Sequence, residues 1–293
     1  MECQGLFEPM TKEIDLPSLK DWVGRSEKVG DYLTNSLVDR FCATLDPFLW
    51  LEGRGAPLGI HWCTTVSATH KSKLSEDGHA EKGDFLPPVR LPARMWAGGE
   101  IIHHQRLSSD SPVTRISRVS DVVAKNGKSG PLIFVTVEQE FFSQDRLCIS
   151  ERQDLVFRDF PKTGNPPSSK PASQSDTNRG TQLGKLTPDP LLLFRYSALT
   201  FNSHRIHYDQ DYARNTEGYV DLVVHGPLQA TLLLNLAAKI AGKPPRRFSF
   251  RGLAPVTLGS SISLFHTEEN SGGKVWCEAD NGVRSFVAQY SDN

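Results

Sequence analysis

HGPLQATLLLNLAAKIAG, residues 225–242, decides how the rest of the chain is read. Gly226 stands where a helix cap belongs, and Pro227 stands at the first helical position, where the missing proline N–H costs no hydrogen bond. Gly242 and Pro244 close the segment, as a glycine just past a helix end and a proline beyond it do. Leucines at 228, 232, 233, 234 and 236 and alanines at 230, 237, 238 and 241 leave hardly a polar face. A helix that is apolar nearly all round must be buried. Strand candidates follow at 246–256, 261–268, 274–280 and 283–290, the last two flanking Asn281-Gly282, a strong hairpin signal. One buried helix followed by an antiparallel sheet is an α+β unit in which the sheet wraps the helix.

The first half repeats this plan loosely. TNSLVDRFCATL (34–45) is an amphipathic helix with Thr34 as its cap and Leu37, Val38, Phe41 and Leu45 on one face. Strands are expected at 98–107, 113–124, 131–142 and 147–158, with Asn126-Gly127 as a second hairpin turn. Residues 46–97 are loop-rich, and the sequence does not place their elements. PKTGNPPSSKPASQSDTNRGTQLGKLTPD, residues 161–189, has too few apolar residues to order itself and reads as an exposed linker. The expected organisation is therefore 1–160, a linker at 161–189, and 190–293. LLLFRYSALTF (191–201), at the head of the last unit, reads as a buried strand.

The bulk numbers exclude several functions. With 38% hydrophobic and 23% charged residues the composition is that of a soluble globular protein, and 23 Gly with 19 Pro point to long loops. A net charge of -1 gives no broad attraction to nucleic acid or to an anionic membrane. The nearest approach to a membrane span, around 232–238, is far short of about 18 apolar residues. Five scattered cysteines without CxxC spacing fit buried thiols in a reducing compartment. MECQGLFEPMTKEIDLP at the N-terminus is acidic and lacks arginine, unlike a signal peptide or a presequence, and the final SDN is no peroxisomal address. The expected location is cytoplasmic.

Chemistry concentrates in FNSHRIHYD (201–209) and in the start of the buried helix. A helix N-terminus carries unpaired N–H groups and partial positive charge, so the Gly226 N–H can stabilise an enolate oxygen. A histidine titrating near neutrality can move a proton beside that carbonyl, while Asn202 can orient a water but cannot transfer a proton. His204 and His207 are three apart, so one faces the pocket; His207 is favoured, with His204 or Arg205 in support. The bland alternatives are a structural role for either histidine, His225 as a mere helix cap, and Asp209 as the N-cap of a short helix at 210–215. His-x2-His lacks a third zinc-ligand pattern, so no metal is expected. KPPRRF (243–248) is a solvated helix exit or a grip for phosphates or an acidic carrier.

SALTFNSHRIHYDQDYA (197–213) followed by LVVHGPLQATLL (222–233) resembles the MaoC-like hydratase/dehydratase family. It is most similar to the two-domain branch that includes mesaconyl-CoA and itaconyl-CoA hydratases and fungal type 2 hydroxyacyl-thioester dehydratases. FLPPVRLPARMWAGGEI (85–101), KNGKSGPLIFVTVEQE (125–140) and ERQDLVF (151–157) resemble the branch's degenerate N-terminal half, and RFSFRGLAPVTLG (247–259) its C-terminal half. The resemblance implies a double hot-dog fold: two antiparallel sheets, each wrapped around a helix. Aligned on the family motif GDxNPxHxD, His207 matches the catalytic histidine, whereas Asn202 stands at the acid, His204 at the motif's Asn and Arg205 at its Pro. Gly226 matches the family's oxyanion-hole glycine. His207 would then carry the proton on both sides, with Asn202 orienting water. Arg205 is the candidate for a substrate carboxylate, with His204, His225 and Tyr208 as further substrate contacts.

The expected activity is that of a hydro-lyase, adding water to an enoyl thioester or removing it from a 3-hydroxyacyl thioester. The thioester is carried by coenzyme A or an acyl carrier protein, and no other cofactor is needed. The alternatives are a hot-dog dehydratase or cyclase repurposed for a non-thioester biosynthetic intermediate, an acyl-binding protein, and a thioesterase. Two fused copies make a pseudo-dimer, compatible with a monomer or a homodimer.

Overall fold

The computed structural model describes residues 15–53, 55–127, 130–160, 180–269 and 271–292. The acidic N-terminus and most of the expected linker, 161–179, lie outside the described residues. The chain begins with a short helix α1 (Leu16–Lys20), strand β1 (Ser26–Leu33) and helix α2 (Asn35–Leu45). Two 3-10 turns (Ile60–Cys63 and Lys71–Lys73) punctuate the loop-rich stretch. There follow β2 (Ala93–His103), β3 (Ser111–Gly127), β4 (Gly130–Ser143), β5 (Arg146–Arg158) and β6 (Thr181–Leu186). Helix α3 (Pro190–Leu199), a 3-10 turn (Arg205–His207) and α4 (Gln210–Asn215) lead to α5 (Gly226–Ala241), and β7 (Arg247–Gly252), β8 (Ile262–Glu269), β9 (Gly272–Ala279) and β10 (Arg284–Ser291) complete the fold.

Helix α5 is the buried element that its composition requires: eleven of its residues, from Leu228 to Ala238, are buried. Its N-cap is His225, so Gly226 is already the first helical residue, one position further in than the sequence pattern suggests. The C-terminal strands β7, β8, β9 and β10 fall where expected, and Gly282, at φ 75, turns the β9–β10 hairpin. Strand order is β1-β3-β4-β5-β2-β7-β10-β9-β8-β6. The first five belong to the N-terminal half and the last five to the C-terminal half, and antiparallel pairing of β2 with β7 joins the two sheets of the double hot-dog into one ten-stranded ladder. Gly98 and Gly99 make that junction feasible, because a Cβ on them would lie 2.6 Å from the Phe250 carbonyl oxygen and 2.1 Å from that of Arg152. The main apolar core runs through both halves, with Leu33, Phe41 and Leu45 in one cluster with Leu193, Tyr196 and the leucines of α5, and a separate cluster of Leu19, Val89, Val119, Ile133 and Phe157 lies within the N-terminal half. No helix of the described residues is long and apolar enough to cross a membrane.

Three expectations are corrected. The run 191–201 is helix α3 rather than a strand: Asp189 accepts from the Leu192 N–H and Pro190 sits in the first turn, a start signal that outweighs the continuous apolar run. The expected linker 161–189 is ordered at its end as β6, which hydrogen-bonds to β8 along its main chain while exposing most of its side chains. An edge strand of this kind needs no apolar alternation. Asn126 and Gly127 are strand residues paired with Pro131 and Gly130, so the hairpin tip is 128–129, outside the described residues. β1, with exposed side chains along most of its length, carries no apolar stripe to announce it.

Candidate active site

Helix α3 ends at Leu199, Phe201 adopts φ 50, and the chain turns so that the Asn202 N–H bonds back to Ser197 O at 2.9 Å. Asn202 Oδ1 then accepts from the His204 N–H at 3.0 Å, which shapes the Arg205–His207 turn. Asp209 caps α4 through the Tyr212 N–H, as its position suggests. The turn holds His207 buried against the start of α5.

His207 Nδ1 lies 2.7 Å from the Val223 carbonyl oxygen. A carbonyl can only accept, so Nδ1 carries the proton and Nε2 keeps its lone pair. No described residue bonds to Nε2. Burial, and then the neighbouring His204, push the His207 pKa down to about 3 against the opposing pull of the Val223 bond. The imidazole is therefore neutral at physiological pH, a base with its lone pair available. His225 stacks on it with ring centroids 3.6 Å apart and 18° between the planes, and its Nε2 lies 2.8 Å from Ser197 Oγ. Burial, then His207 and His204, hold His225 neutral as well. His204 donates through Nε2 to the buried Glu217 carboxylate at 3.0 Å.

A cavity of about 1490 Å³ opens on this cluster. Asn202, His204, His207, Tyr208 and Gly226 line it, while Arg205 and His225 are not among its lining residues. The Gly226 N–H is the first of α5, where no intrahelical acceptor exists, and no described residue accepts from it. Trp96 covers Gly226 closely: a Cβ there would lie 3.3 Å from the Trp96 ring. Tyr208 is exposed and donates its hydroxyl to Ser203 O at 3.2 Å. The Arg205 guanidinium is engaged with Asp209 at 2.8 Å and lies 4.2 Å from the Tyr212 ring centroid, which leaves its fork committed to protein. In KPPRRF, Arg246 donates to His103 O and Arg247 pairs with Glu100 at 2.7 Å, so both brace the sheet.

The loop that carries Asp77 and His79 comes from the N-terminal half and was not legible as part of the site. Arg205 donates its N–H to Asp77 O at 2.9 Å, Ser203 Oγ donates to Gly78 O at 2.5 Å, and the His79 ring lies 4.2 Å from His204. His79 Nδ1 donates to Asp77 Oδ2 at 2.8 Å. Burial works to raise the Asp77 pKa, but the hydrogen bonds and charge of His79 outweigh it and hold the carboxyl well below the usual range. Among the described residues, Asp77, His79 and His204 bring three possible metal donors within 4.8 Å of one another. That set excludes His207 and draws on a loop 125 residues away, in place of the missing third ligand near His-x2-His. Asp77 is nevertheless bonded to His79 and His204 to Glu217, and the Arg94 guanidinium adds positive charge nearby. Asp77 and His79 thus satisfy each other and Glu217 satisfies His204, an arrangement that does not fit a resident cation.

Gly78 docks this loop at φ +91, where a Cβ would fall 1.8 Å from Ser203 O. Gly78→Ala therefore combines backbone strain of about 1–3 kcal/mol with a displaced loop. Its thermal midpoint and turnover should both fall, as differential scanning fluorimetry and a rate assay would record.

The buried imidazoles also set an acid limit. His207 titrates near 3 and His103, which burial pushes down first and His61 next, near 4. Unfolded, each titrates near about 6.5, so between these values the unfolded chain binds more protons and stability rises with pH. Lowering the pH from 7 to 5 should cost on the order of 2 kcal/mol for each such histidine. Urea titrations at the two pH values measure this, and stability independent of pH over that range would contradict it.

Residues 59–258 match the hydroxyacyl-thioester dehydratase type 2 family. Mesaconyl-C(4)-CoA hydratase of Chloroflexus aurantiacus is 41% identical over 239 residues, covering 80% of this chain and 84% of the relative. The mitochondrial hydroxyacyl-thioester dehydratase type 2 of Schizosaccharomyces pombe is 27% identical over 281 residues, 85% of this chain and 91% of its own. In fold, a MaoC-like dehydratase superposes with TM-score 0.68 at 15% identity, over 93% of this chain and 99% of its own. HtdX of Mycobacterium tuberculosis does so with TM-score 0.65 at 16% identity, over 91% of this chain and 99% of its own.

Proposed function

Because the chain belongs to the hydroxyacyl-thioester dehydratase type 2 family, and so is a hydro-lyase of acyl thioesters, we propose that His207 and the Gly226 N–H carry out the reaction. The observation that supports this assignment is that a neutral imidazole with a free Nε2 and an unpartnered helix N–H front the same cavity. In the hydration direction, His207 Nε2 takes a proton from water as the water oxygen bonds to the β-carbon of an enoyl thioester. The π electrons move toward the thioester oxygen, which the Gly226 N–H and the N-terminal end of α5 stabilise. The imidazolium then returns its proton to the α-carbon. Both bonds form on one face, because one base serves both. Dehydration is the reverse sequence.

Asn202 lines the same cavity and orients the water. A Cβ on Gly226 would crowd the covering Trp96 ring, so glycine suits close approach by the thioester. His225, stacked on His207 and bonded to Ser197, supports the base from behind rather than touching substrate. Lys71 and Lys73 stand exposed on the cavity wall and suit the phosphates of coenzyme A.

The reading is tested by incubating the protein with crotonyl-CoA and fumaryl-CoA while following enoyl absorbance and free thiol. Loss of absorbance without thiol release is expected for at least one ester. Thiol release marks a thioesterase, and no change with either ester rejects the hydro-lyase assignment.

A further inference from the structure

Arg94 is a cation inside the cavity without a bonded partner among the described residues. It lies on β2, lines the cavity wall and is largely screened from solvent. No described residue gives its guanidinium a hydrogen bond or an ion pair. Asp77 is the opposite charge that acts on it, and the Asp77 carboxylate is already bonded by His79. Burial depresses the Arg94 pKa to about 10, with Asp77 opposing, so the group remains charged at neutral pH. A guanidinium desolvated without a bonded anion is costly, unlike the arginines of this chain that are paired, such as Arg115 with Glu27 at 2.8 Å or Arg205 with Asp209. An incoming carboxylate would match its two-pronged donor geometry and offset that cost.

The position of Arg94 indicates which carboxylate. Arg94 and Trp96 are two apart on one strand, hence on the same face and about 7 Å apart. Trp96 is the ring that covers Gly226, where the thioester oxygen would sit. Arg94 also acts electrostatically on His79, whose ring packs on His204. Arg94, Trp96 and Gly226 line one cavity, so the span from the Gly226 N–H to Arg94 is one that a bound acyl chain would have to bridge. In a trans four-carbon chain the terminal carbons are about 3.8 Å apart, the spacing of any trans-planar four-atom unit, and a guanidinium–carboxylate contact spans the remainder.

We propose that Arg94 binds a carboxylate at the far end of the acyl group, so that the substrate is the thioester of a short unsaturated dicarboxylic acid or of its hydroxy derivative. This rests on the hydro-lyase reading above and assigns to Arg94 the carboxylate contact that the sequence alone suggests for Arg205. Arg94 is a specificity-determining residue: it does not move a proton.

Fumaryl-CoA and crotonyl-CoA have the same chain length and differ only in a terminal carboxylate against a methyl group. Wild-type kcat/KM should favour fumaryl-CoA by about 100-fold or more, the discrimination of a site whose buried charge is otherwise unpaired. In Arg94→Met that ratio should collapse by about the same factor, and Arg94→Lys, which keeps charge but loses the fork, should fall between. Hydration of crotonyl-CoA as fast as fumaryl-CoA by the wild type overturns the assignment and leaves the hydro-lyase reading intact. A ratio unchanged in Arg94→Met overturns it too. Turnover of neither ester removes the parent reading and this one with it. The wild-type ratio decides the matter even if the variants fail to fold.

Discussion

His207→Asn should lower kcat by about 1,000-fold, within the range of about 100- to 10,000-fold that a positioned proton-transfer group contributes. Asparagine keeps an N–H where the imidazole Nδ1 donates to Val223 O, so the turn retains its anchor. The amide has no basic nitrogen in place of Nε2, and no other described residue shares that atom's position. His225 stacks on His207 but is itself held neutral, with Nε2 engaged by Ser197. Asn202 cannot take over, being an amide. The thermal midpoint of the variant should stay near that of the wild type or rise at mildly acidic pH, because one buried imidazole that resists protonation is gone. A stable, folded His207→Asn protein retaining more than a tenth of wild-type kcat would remove His207 from its catalytic role.

The second large effect is at the helix start. Gly226→Pro deletes the N–H while keeping a residue suited to the first helical position, and His225 already has φ -57 and ψ 135, a conformation compatible with a following proline. Gly226→Ala is the necessary control. It adds the same Cβ, 3.3 Å from the Trp96 ring, but retains the N–H. The alanine variant should lose less than about ten-fold, and the proline variant a further 100- to 1,000-fold in kcat, the range of about 2.7–4 kcal/mol for one oxyanion donor. Equal losses in the two variants would make crowding, rather than hydrogen bonding, the cause.

The parts of the fold that could be read from sequence are those whose signals are local. Helix α5 and the four strands after it carry a composition and a turn, Asn281-Gly282, that allow one reading. Residues 191–201 are ambiguous in sequence because a short continuous apolar run fits a buried strand or a buried helix equally well. Asp189 followed by Pro190 was the discriminating cue, an N-cap and a first-turn proline. β1 and β6 escaped because they are held by main-chain pairing at the sheet edges, with little apolar surface to pattern them. In the site, His207, His204, Asn202 and Gly226 lie within 25 residues and converge through one turn and one helix start. Asp77, His79 and Arg94 carry no periodicity and no motif. A loop folded across from the other half, docked by Gly78, and a cavity wall from β2 bring them in. Arg205 illustrates the limit of reading side chains by type: its guanidinium is available on paper and occupied by Asp209 in the fold.

Everything proposed for the reaction requires a thioester to bind between His207 Nε2 and the Gly226 N–H. This requirement is tested most directly by a crystal structure of the protein with a non-hydratable enoyl-CoA analogue. The thioester oxygen is expected within about 3 Å of the Gly226 nitrogen, with the β-carbon facing Nε2 across the width of one water molecule. An analogue bound in the cavity with its thioester remote from Gly226, or with Nε2 turned away from the acyl chain, would contradict it.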